Sequence, residues 1–299
     1  MSDAHRSVPD PTRPRVLILG CGDTGRRVAR HYLDRGHSVL GVVRTEASQQ
    51  ALTAAGVPAL TLDLTDGDLS RLPFSDCWIF HFAPPPGEGV EDWLTRRLVA
   101  ACSRGTPPRR LVYLSTTGVY GDCAGDWVDE TWPVRPTADR ARRRWDAEQS
   151  LRRWSREQGT SLVILRVAGI YGPGRLPIER IRQGLPLVRE AEAPYSNRIH
   201  IEDLVQASLA AMARGTDGGV YNVCDDHPST MTDYFFQIAD AAGLPRPPEI
   251  PLADMDGQLS PGMRSYMRES RRLSNRRLRE ELGVVLTYPT LREGLAASI

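Results

Sequence analysis

Three closely spaced glycines are the residues of this 299-residue chain that point most directly to chemistry. They lie in Gly20-Cys-Gly22-Asp-Thr-Gly25, directly after a short apolar run. Gly20 permits a tight turn, Gly22 permits close approach of the backbone to a diphosphate, and Gly25 permits close packing of helix on strand. The helix that opens with Asp23 and Thr24 would offer amide donors and positive dipole to the same group. The pattern predicts a dinucleotide site; the alternative is a glycine-rich turn that binds nothing.

The residue after the second apolar run predicts which dinucleotide is preferred. Sites selective for NAD place an acidic residue there, about 20 residues beyond the glycines, to receive the ribose hydroxyls. This chain has Arg44 instead, after Gly41-Val-Val43. A guanidinium would bind the 2′-phosphate of NADP and offers no acceptor to a ribose diol. We therefore expect NADP in preference to NAD, with a solvated loop arginine as the alternative.

Two further positions are candidates for contact with the cofactor. Asp63 follows the third predicted strand and could accept a hydrogen bond from the adenine amino group. It could equally cap the short segment that follows it. Residues 81–86, which include Ala83, follow the fourth predicted strand and are expected to line the edge of the cofactor.

The elements that must position these residues alternate between strand and helix. Such an order predicts an α/β fold with a doubly wound parallel sheet covered by helices on both faces. The strands are predicted at 15–19, 38–43, 58–62, 77–82, 110–114 and 162–166, and the helices at 24–35, 46–55, 91–104 and 136–157.

The chain is expected to divide into three parts. Residues 1–14 are predicted to form a flexible leader, residues 15–170 the dinucleotide-binding domain, and residues 171–299 a smaller, mainly helical, substrate-binding lobe. Within the last part, residues 200–225 are expected to return to the first domain. The lobe is predicted to contain helices at 201–213, 230–242 and 269–282, a strand at 220–223 and a proline-rich loop at 245–251.

Composition excludes several classes of function. The net charge of +1 gives no basic excess for nucleic acid, and no apolar run reaches the ~18 residues of a membrane helix. The five scattered cysteines lack the pair spacing of zinc sites, so reduced thiols and no metal are expected. All 38 basic residues are arginine, which excludes chemistry that needs a lysine. The sequence is typical of a cytoplasmic protein.

Four further motifs carry a resemblance to a known family. They are Leu114-Ser-Thr-Thr-Gly-Val-Tyr-Gly121, Arg166-Val-Ala-Gly-Ile-Tyr-Gly-Pro-Gly-Arg175, Arg198-Ile-His-Ile-Glu-Asp203 and Tyr221-Asn-Val223. With the glycine loop, they make nearly the whole chain similar to the extended short-chain dehydrogenases/reductases, which include nucleotide-sugar epimerases and dehydratases. The glycine spacing and the Ala83-Pro-Pro-Pro86 loop resemble the atypical branch of that family.

The resemblance implies a catalytic pair that this chain lacks. Thr116 matches the family's Ser or Thr, which binds the reacting oxygen of the substrate. The family's Tyr-x-x-x-Lys pair, counted back from Ala147-Glu148, falls on Arg140 and Arg144. An arginine, with its pKa above about 12, cannot exchange a proton at neutral pH. Arg140 and Arg144 are therefore interpreted either as a solvated helix face or as a clamp for an acidic substrate group.

Other polar residues of the family motifs have less certain roles. Tyr120 and Tyr171 are the nearest alternative phenols, and Tyr120 is the candidate proton donor, although the matching family tyrosine usually shapes the pocket. Arg175 is a candidate for contact with a substrate anion. His200 and Asp203 are expected to bond the backbone at the entry of a helix.

Two functions remain open from the sequence. The first is an NAD(P)-binding oxidoreductase or epimerase/dehydratase-like enzyme that acts on a small, anionic substrate. The alternative is a non-catalytic NADP(H)-binding redox sensor or regulatory module. A homodimer through the helices predicted at 91–104 and 136–157 is possible, as in many relatives.

Overall fold

The described part of the protein, in a computed structural model, is residue 10 and residues 12–299. The leader predicted at 1–14 falls mostly outside these residues. The first elements alternate in the expected order: β1 Arg15–Leu19, α1 Asp23–Leu33, β2 Val39–Val43, α2 Glu46–Ala54, β3 Ala59–Thr61, β4 Cys77–His81, α3 Trp93–Cys102 and β5 Arg110–Thr116.

The middle of the chain adds further long elements and several short strands. They are β6 Trp127–Val128, α4 Asp139–Gln158, β7 Ser161–Val167, β8 Gly169–Tyr171, α5 Ile178–Arg182, β9 Leu187–Val188, β10 Tyr195–Ser196, β11 Arg198–His200, α6 Ile201–Arg214 and β12 Val220–Val223. The last third contains β13 Ser229–Thr230, α7 Met231–Ala241, β14 Glu249–Ile250, α8 Met255–Gln258, α9 Pro261–Met267, β15 Arg272–Leu273, α10 Arg276–Glu280 and α11 Leu291–Ala296.

A seven-stranded parallel sheet organises the fold, in the order β12-β7-β5-β4-β1-β2-β3. Residue 19 of β1 pairs with Val42 of β2 on one side and with His81 of β4 on the other. The chain order therefore reverses between β1 and β4. In open parallel sheets, ligands bind beyond the carboxyl ends of the strands at this switch point. The predicted α/β, doubly wound fold is confirmed.

The central strands are apolar because both faces of the sheet are covered. Val16, Leu17, Ile18 and Leu19 are all fully buried, so β1 shows no alternation between apolar and polar residues. One core cluster joins β1, β4 and β5 to the inner faces of α3 and α4, with Trp154 among its largest members. All five cysteines are buried and free, as expected.

The chain forms two compact units. The first comprises the described residues up to Ser115 with Arg142–Leu165 and Ser208–Val220, and the second comprises Thr116–Ala141, Arg166–Ala207 and Tyr221–Ile299. The first contains the glycine loop. Within residue 10 and residues 12–299, no helix has the length and apolar character required to span a bilayer.

The prediction of a helix at 269–282 was wrong. Leu273 belongs to β15, which pairs with β6, and only Arg276–Glu280 is helical. The amide of Leu273 donates to Asn197 Oδ1 at 2.9 Å, and Leu273 is 2% exposed. Tertiary pairing of a buried residue has overridden a local amphipathic pattern. Similarly, the loop predicted at 245–251 contributes β14, which pairs with β9.

Candidate functional site

The glycine loop of the first unit has a backbone shape that explains each glycine. Gly20 has φ 79°, and a Cβ there would lie 2.5 Å from the Cα of Ala83. A Cβ on Gly25 would lie 3.0 Å from Ile18 Cγ2, so its absence permits α1 to pack on β1. A Cβ on Gly22 would meet no atom within 4 Å. Gly22 therefore faces open space, whereas its two neighbours in the motif are in contact with the protein.

The start of α1 suits a diphosphate. Gly22 is the N-cap and receives no side-chain cap, so the first-turn amides remain available to a ligand. Asp23 is the one acidic residue in that turn, and its Oδ1 pairs with Arg26 at 3.3 Å and Arg27 at 3.1 Å. Thr24 is buried. The open face at Gly22, the uncapped amides and the paired Asp23 together fit an anionic dinucleotide.

Arg44 and Asp63 follow the carboxyl ends of neighbouring strands. Arg44 is exposed. Asp63 Oδ1 accepts from Thr65 N at 2.9 Å and from Thr65 Oγ1 at 2.7 Å. These bonds lower the pKa of Asp63, with smaller contributions from Arg44 and Arg97. Asp63 thus caps the segment that follows it, and contact with adenine stays a prediction.

Three buried side chains of the first unit, His81, Thr95 and Asp92, are joined by hydrogen bonds that were not predicted from the sequence. Thr95 Oγ1 donates to Asp92 Oδ2 at 2.9 Å, so it accepts from His81 Nε2 at 2.9 Å. His81 therefore carries its proton on Nε2, and within the described residues its buried Nδ1 has no partner. Burial lowers the pKa of His81 to about 3 and raises that of Asp92. Only the helix cap Asp92-x-x-Thr95 had a sequence signal.

Arg144, at the position where the resemblance predicts the family's lysine, donates hydrogen bonds to three oxygen atoms of the first unit. Its Nη1 donates to Leu114 O at 2.9 Å, to the Tyr113 hydroxyl at 3.2 Å and to Ala83 O at 3.4 Å. Burial raises the pKa of Tyr113 to about 12, although Arg144 acts in the opposite direction. Arg144 is thus fixed beside the ends of β4 and β5, and its contact with a substrate stays a prediction.

The carboxylate four residues further along α4 is also engaged. Ser115 Oγ donates to Glu148 Oε1 at 2.6 Å, and both residues are buried. This bond ties the end of β5 to the interior of α4. It places Ser115 and Glu148 in the scaffold of the first unit.

In the second unit, Thr116 begins a tight turn of residues 117–120. Its Oγ1 accepts from Gly118 N at 3.2 Å, and its side chain is partly exposed. A Cβ on Gly118 would lie 3.5 Å both from Thr116 Oγ1 and from Ala141 Cβ. The turn therefore lies against the beginning of α4 within this unit.

Tyr120 ends that turn with its phenol inside the protein. It is 1% exposed, and its hydroxyl donates to Asn222 Oδ1 at 2.7 Å. The Arg166 guanidinium lies 4.8 Å from its ring centroid. These contacts are typical of a residue that shapes a pocket; its role as a proton donor stays a prediction.

Arg140, at the position where the resemblance predicts the family's tyrosine, contacts a later segment of the second unit. Its Nη1 donates to Ser265 Oγ at 2.7 Å, and its guanidinium carbon lies 4.4 Å from the ring centroid of Tyr266. No sequence signal links Tyr266 to Arg140, because 125 residues separate Arg140 from Ser265. Arg140 and Arg144, expected to act together, are thus held by different partners.

The remaining candidates have distinct surroundings. Tyr171 is fully buried, its hydroxyl donates to Thr290 O at 3.4 Å, and burial raises its pKa. Arg175 is exposed, and its amide donates to Gly172 O at 3.0 Å.

His200 and Asp203 both serve the backbone, but in different places. His200 Nδ1 accepts from Glu202 N at 3.2 Å, as expected for a helix entry. Asp203 was expected to serve the same turn, and this was wrong. Its carboxylate accepts from Thr287 N at 2.7 Å and Tyr288 N at 3.0 Å. The buried carboxylate is satisfied by amides of a remote segment, which sequence spacing cannot indicate.

Comparison with curated proteins shows relatives along most of the chain. Protein YeeZ of Escherichia coli is 30% identical over 242 residues, which cover 78% of this chain and 85% of that protein. The UDP-glucose 4-epimerase of Streptomyces lividans is 27% identical over 270 residues, covering 78% and 82%.

Solved structures share the fold. A functionally unknown conserved protein from Silicibacter pomeroyi is 36% identical, with a TM-score of 0.80 over 95% of this chain and 98% of that one. The UDP-glucose 4-epimerase of Thermotoga maritima has a TM-score of 0.77 over 95% and 97%, at 20% identity. The model of the NAD dependent epimerase/dehydratase family matches residues 16–224, and the chain therefore belongs to that family.

Proposed function

We propose that the protein is an NADP(H)-binding oxidoreductase or epimerase/dehydratase-like enzyme that acts on a small, anionic substrate. The open face at Gly22, beside the uncapped start of α1, carries this proposal. A backbone position whose Cβ side faces open space, between two glycines that are closely packed, is suited to a ligand that comes within contact distance of the main chain.

The first unit would hold the cofactor. Gly20, Gly22 and Gly25, with the amides near Asp23 and Thr24, would bind the diphosphate. Arg44 would bind the 2′-phosphate of NADP, which is why we prefer NADP to NAD. Asp63 would accept from the adenine amino group, and Ala83 would line the cofactor edge.

The chain's own side chains would prepare the substrate for reaction. Bound nicotinamide would supply or accept the hydride. Thr116 would hydrogen-bond the reacting oxygen through its partly exposed hydroxyl. Arg140, Arg144 and Arg175 are proposed to bind negative charge on the substrate. The Streptomyces lividans relative is named for UDP-glucose, an anionic sugar nucleotide, which supports a substrate of this charge.

Calorimetry with NADPH and NADH tests the cofactor site. We expect Gly22→Ala to bind NADPH at least about 100-fold more weakly, because its methyl group would occupy the space needed by the diphosphate. Its melting temperature should not change. Gly257→Ala is the matched control, since a Cβ there also meets nothing within 4 Å. Wild-type protein that binds neither nucleotide would refute the proposal.

A second pair of variants tests the preference for NADP. Arg44→Ala should lose about tenfold in affinity for NADPH and little for NADH, because only NADPH carries the extra phosphate. Arg71→Ala, another exposed arginine of the first unit, is the control and should change neither. Equal affinities of wild-type protein for both nucleotides would contradict the preference.

A non-catalytic redox sensor is the second candidate function. It is favoured by the arginines at positions 140 and 144, because neither can exchange a proton near neutral pH. The double variant Arg140→Tyr/Arg144→Lys separates the candidates when NADPH oxidation is measured with a panel of carbonyl compounds. Turnover gained only in the variant supports a decayed site and a sensor, whereas wild-type turnover that the variant loses supports a repurposed enzyme.

A further inference from the structure

We propose that Arg143 is a positioning residue for NADP(H): it holds the loop between β4 and α3, residues 82–92, in the conformation that the bound cofactor requires. The inference rests on the proposed function, in which Ala83 of this loop lines the edge of the cofactor. It assigns a role to a buried arginine that the family resemblance leaves without one. All the residues that carry it lie in the first unit.

The start of this loop lies directly against the glycine turn. A Cβ on Gly20 would lie 2.5 Å from both the amide nitrogen and the Cα of Ala83, and 2.9 Å from the carbonyl carbon of Phe82. Phe82 N also donates to Leu19 O, at the end of β1, at 2.8 Å. The main chain at residues 82–83 is therefore in contact with the turn that is proposed to bind the diphosphate. A shift of the loop start would change the shape of that turn.

The two ends of the loop are fixed by hydrogen bonds to the body of the first unit. At the start, Arg144 Nη1 donates to Ala83 O at 3.4 Å. At the end, Asp92 N donates to Asp146 Oδ2 at 2.8 Å, and Asp92 Oδ2 accepts from Thr95 Oγ1 at 2.9 Å. Arg144 and Asp146 both belong to α4. This helix therefore holds both ends of the loop.

The middle of the loop depends on Arg143. Residues 84–86 are three prolines, which have no amide hydrogen to donate, and residues 87–91 are all exposed. Arg143 Nη1 donates to Gly89 O at 2.5 Å. Within the described part of the chain, this is the one hydrogen bond to the main chain of residues 84–91. Without Arg143, that stretch of main chain would have no hydrogen bond to the rest of the first unit.

The burial of Arg143 is not explained by a gain in stability. The residue is 8% exposed, and its Nε is buried without a hydrogen-bond partner among the described residues. No carboxylate of those residues forms an ion pair with it. A guanidinium taken out of water without a counter-charge lowers the stability of a fold. A role in holding Gly89 beside α4 accounts for a buried charge that folding alone disfavours.

The variant Arg143→Met tests the inference, because methionine fills similar space without a charge or a donor. Calorimetry should show NADPH binding about tenfold more weakly, since the loop is no longer held in place before the cofactor binds. The melting temperature of the nucleotide-free protein should be unchanged or higher, because a buried charge is removed. Arg142→Met removes a charge from the adjacent, exposed residue of α4 and, as the matched control, should change neither quantity. Arg143→Lys keeps a charged donor and should bind NADPH within about threefold of the wild type.

Proteolysis by endoproteinase Glu-C, which cleaves after glutamate, reports on the loop itself, because Glu88 and Glu91 are both exposed. Mass spectrometry of peptides gives the cleavage rate after each residue. Cleavage after Glu88 should be several-fold faster in Arg143→Met than in the wild type, and saturating NADPH should slow it in the wild type. Glu190, an exposed residue of the second unit, is the internal reference, and cleavage after it should be the same in both proteins.

The outcomes separate this inference from the proposed function. If Arg143→Met binds NADPH as the wild type does, or if NADPH leaves cleavage after Glu88 unchanged, the inference is wrong while the cofactor site stands. If affinity and melting temperature fall together in Arg143→Met, Arg143 has a structural role only, and the inference is again wrong. If wild-type protein binds neither NADPH nor NADH, the proposed function itself fails.

Discussion

The expected function of the glycine loop in the first unit depends on the backbone, whereas that of the start of α4 in the second unit depends on side chains. In the loop, function depends on the backbone, and each glycine has the geometry that the motif requires: φ 79° at Gly20, open space at Gly22 and close packing at Gly25. At the start of α4, the expected function depends on side-chain type, and Arg140 lies where the resemblance predicts the family's phenol. A fold can therefore keep a backbone cradle while the side chains of its chemistry change.

The two units also contain buried titratable groups with opposite tendencies. His81 in the first unit is fully buried, and its pKa is lowered to about 3. Asp225 in the second unit is 2% exposed, and burial raises its pKa to about 7. Burial thus favours the neutral form of each group. Each group therefore lowers the stability of the fold in the pH range where it would be charged in the unfolded chain.

The largest expected effect is on the backbone of the cradle. Gly20→Ala should lower the free energy of unfolding by about 4 kcal/mol, because it adds both left-handed strain and a clash with Ala83. Gly36→Ala is the control: Gly36 has φ 75°, but a Cβ there meets nothing within 4 Å, so it should show the strain alone. Urea unfolding measures both. Equal losses in the two variants would show that close contact at Gly20 contributes nothing.

The next effect concerns the second unit as the pH rises from acidic to neutral. Because the pKa of Asp225 is higher in the folded than in the unfolded chain, the stability of the wild type should fall between about pH 4 and pH 7. Between pH 5 and pH 8, Asp225→Asn should lose about 2 kcal/mol less in free energy of unfolding than the wild type. Urea unfolding at each pH measures this. Parallel pH profiles would mean that Asp225 is charged in the folded protein.

A smaller effect of opposite sign is expected in the first unit. The pKa of His81 is lower in the folded than in the unfolded chain, so stability is retained above about pH 6.5 and lost as pH falls towards 3. Between pH 7 and pH 5, His81→Gln should lose about 1–2 kcal/mol less than the wild type. The control is Asp225→Asn over the same range, where the sign is reversed. If the wild type and His81→Gln lose the same free energy of unfolding between pH 7 and pH 5, His81 is not buried in its neutral form.

The smallest effect distinguishes the two roles weighed for Asp63. If Asp63 caps the segment at Thr65, Asp63→Ala should lower the free energy of unfolding by about 1 kcal/mol. If Asp63 also accepts a hydrogen bond from adenine, the wild type should prefer NADPH about threefold over its hypoxanthine analogue, which lacks the amino group. Asp63→Ala should then lose that preference. Calorimetry with both nucleotides measures it. Loss of stability with an unchanged preference would leave Asp63 as a cap only.

Much of the fold and the cofactor loop could be predicted from the sequence, whereas the surroundings of α4 could not. Apolar runs and glycines report local backbone requirements, which is why β1, α1 and the loop between them lie within a few residues of their predicted bounds. The helix predicted at 269–282 failed because Leu273 pairs with β6, and amphipathic spacing carries no information about a remote strand.

The sequence by itself predicted the parallel sheet and the three-glycine turn, and it places arginine at positions 140 and 144. Each of these is signalled by a local pattern: apolar runs that alternate with helices, a glycine motif, and a short spacing on one helix. Only the tertiary structure decided that Asp203 serves Thr287 and Tyr288, that Arg144 bonds Leu114 and Tyr113, and that Arg140 stacks on Tyr266. Arginine and aspartate can satisfy their hydrogen bonds with many partners. Which partner they meet depends on packing between segments more than 80 residues apart in two of these three cases.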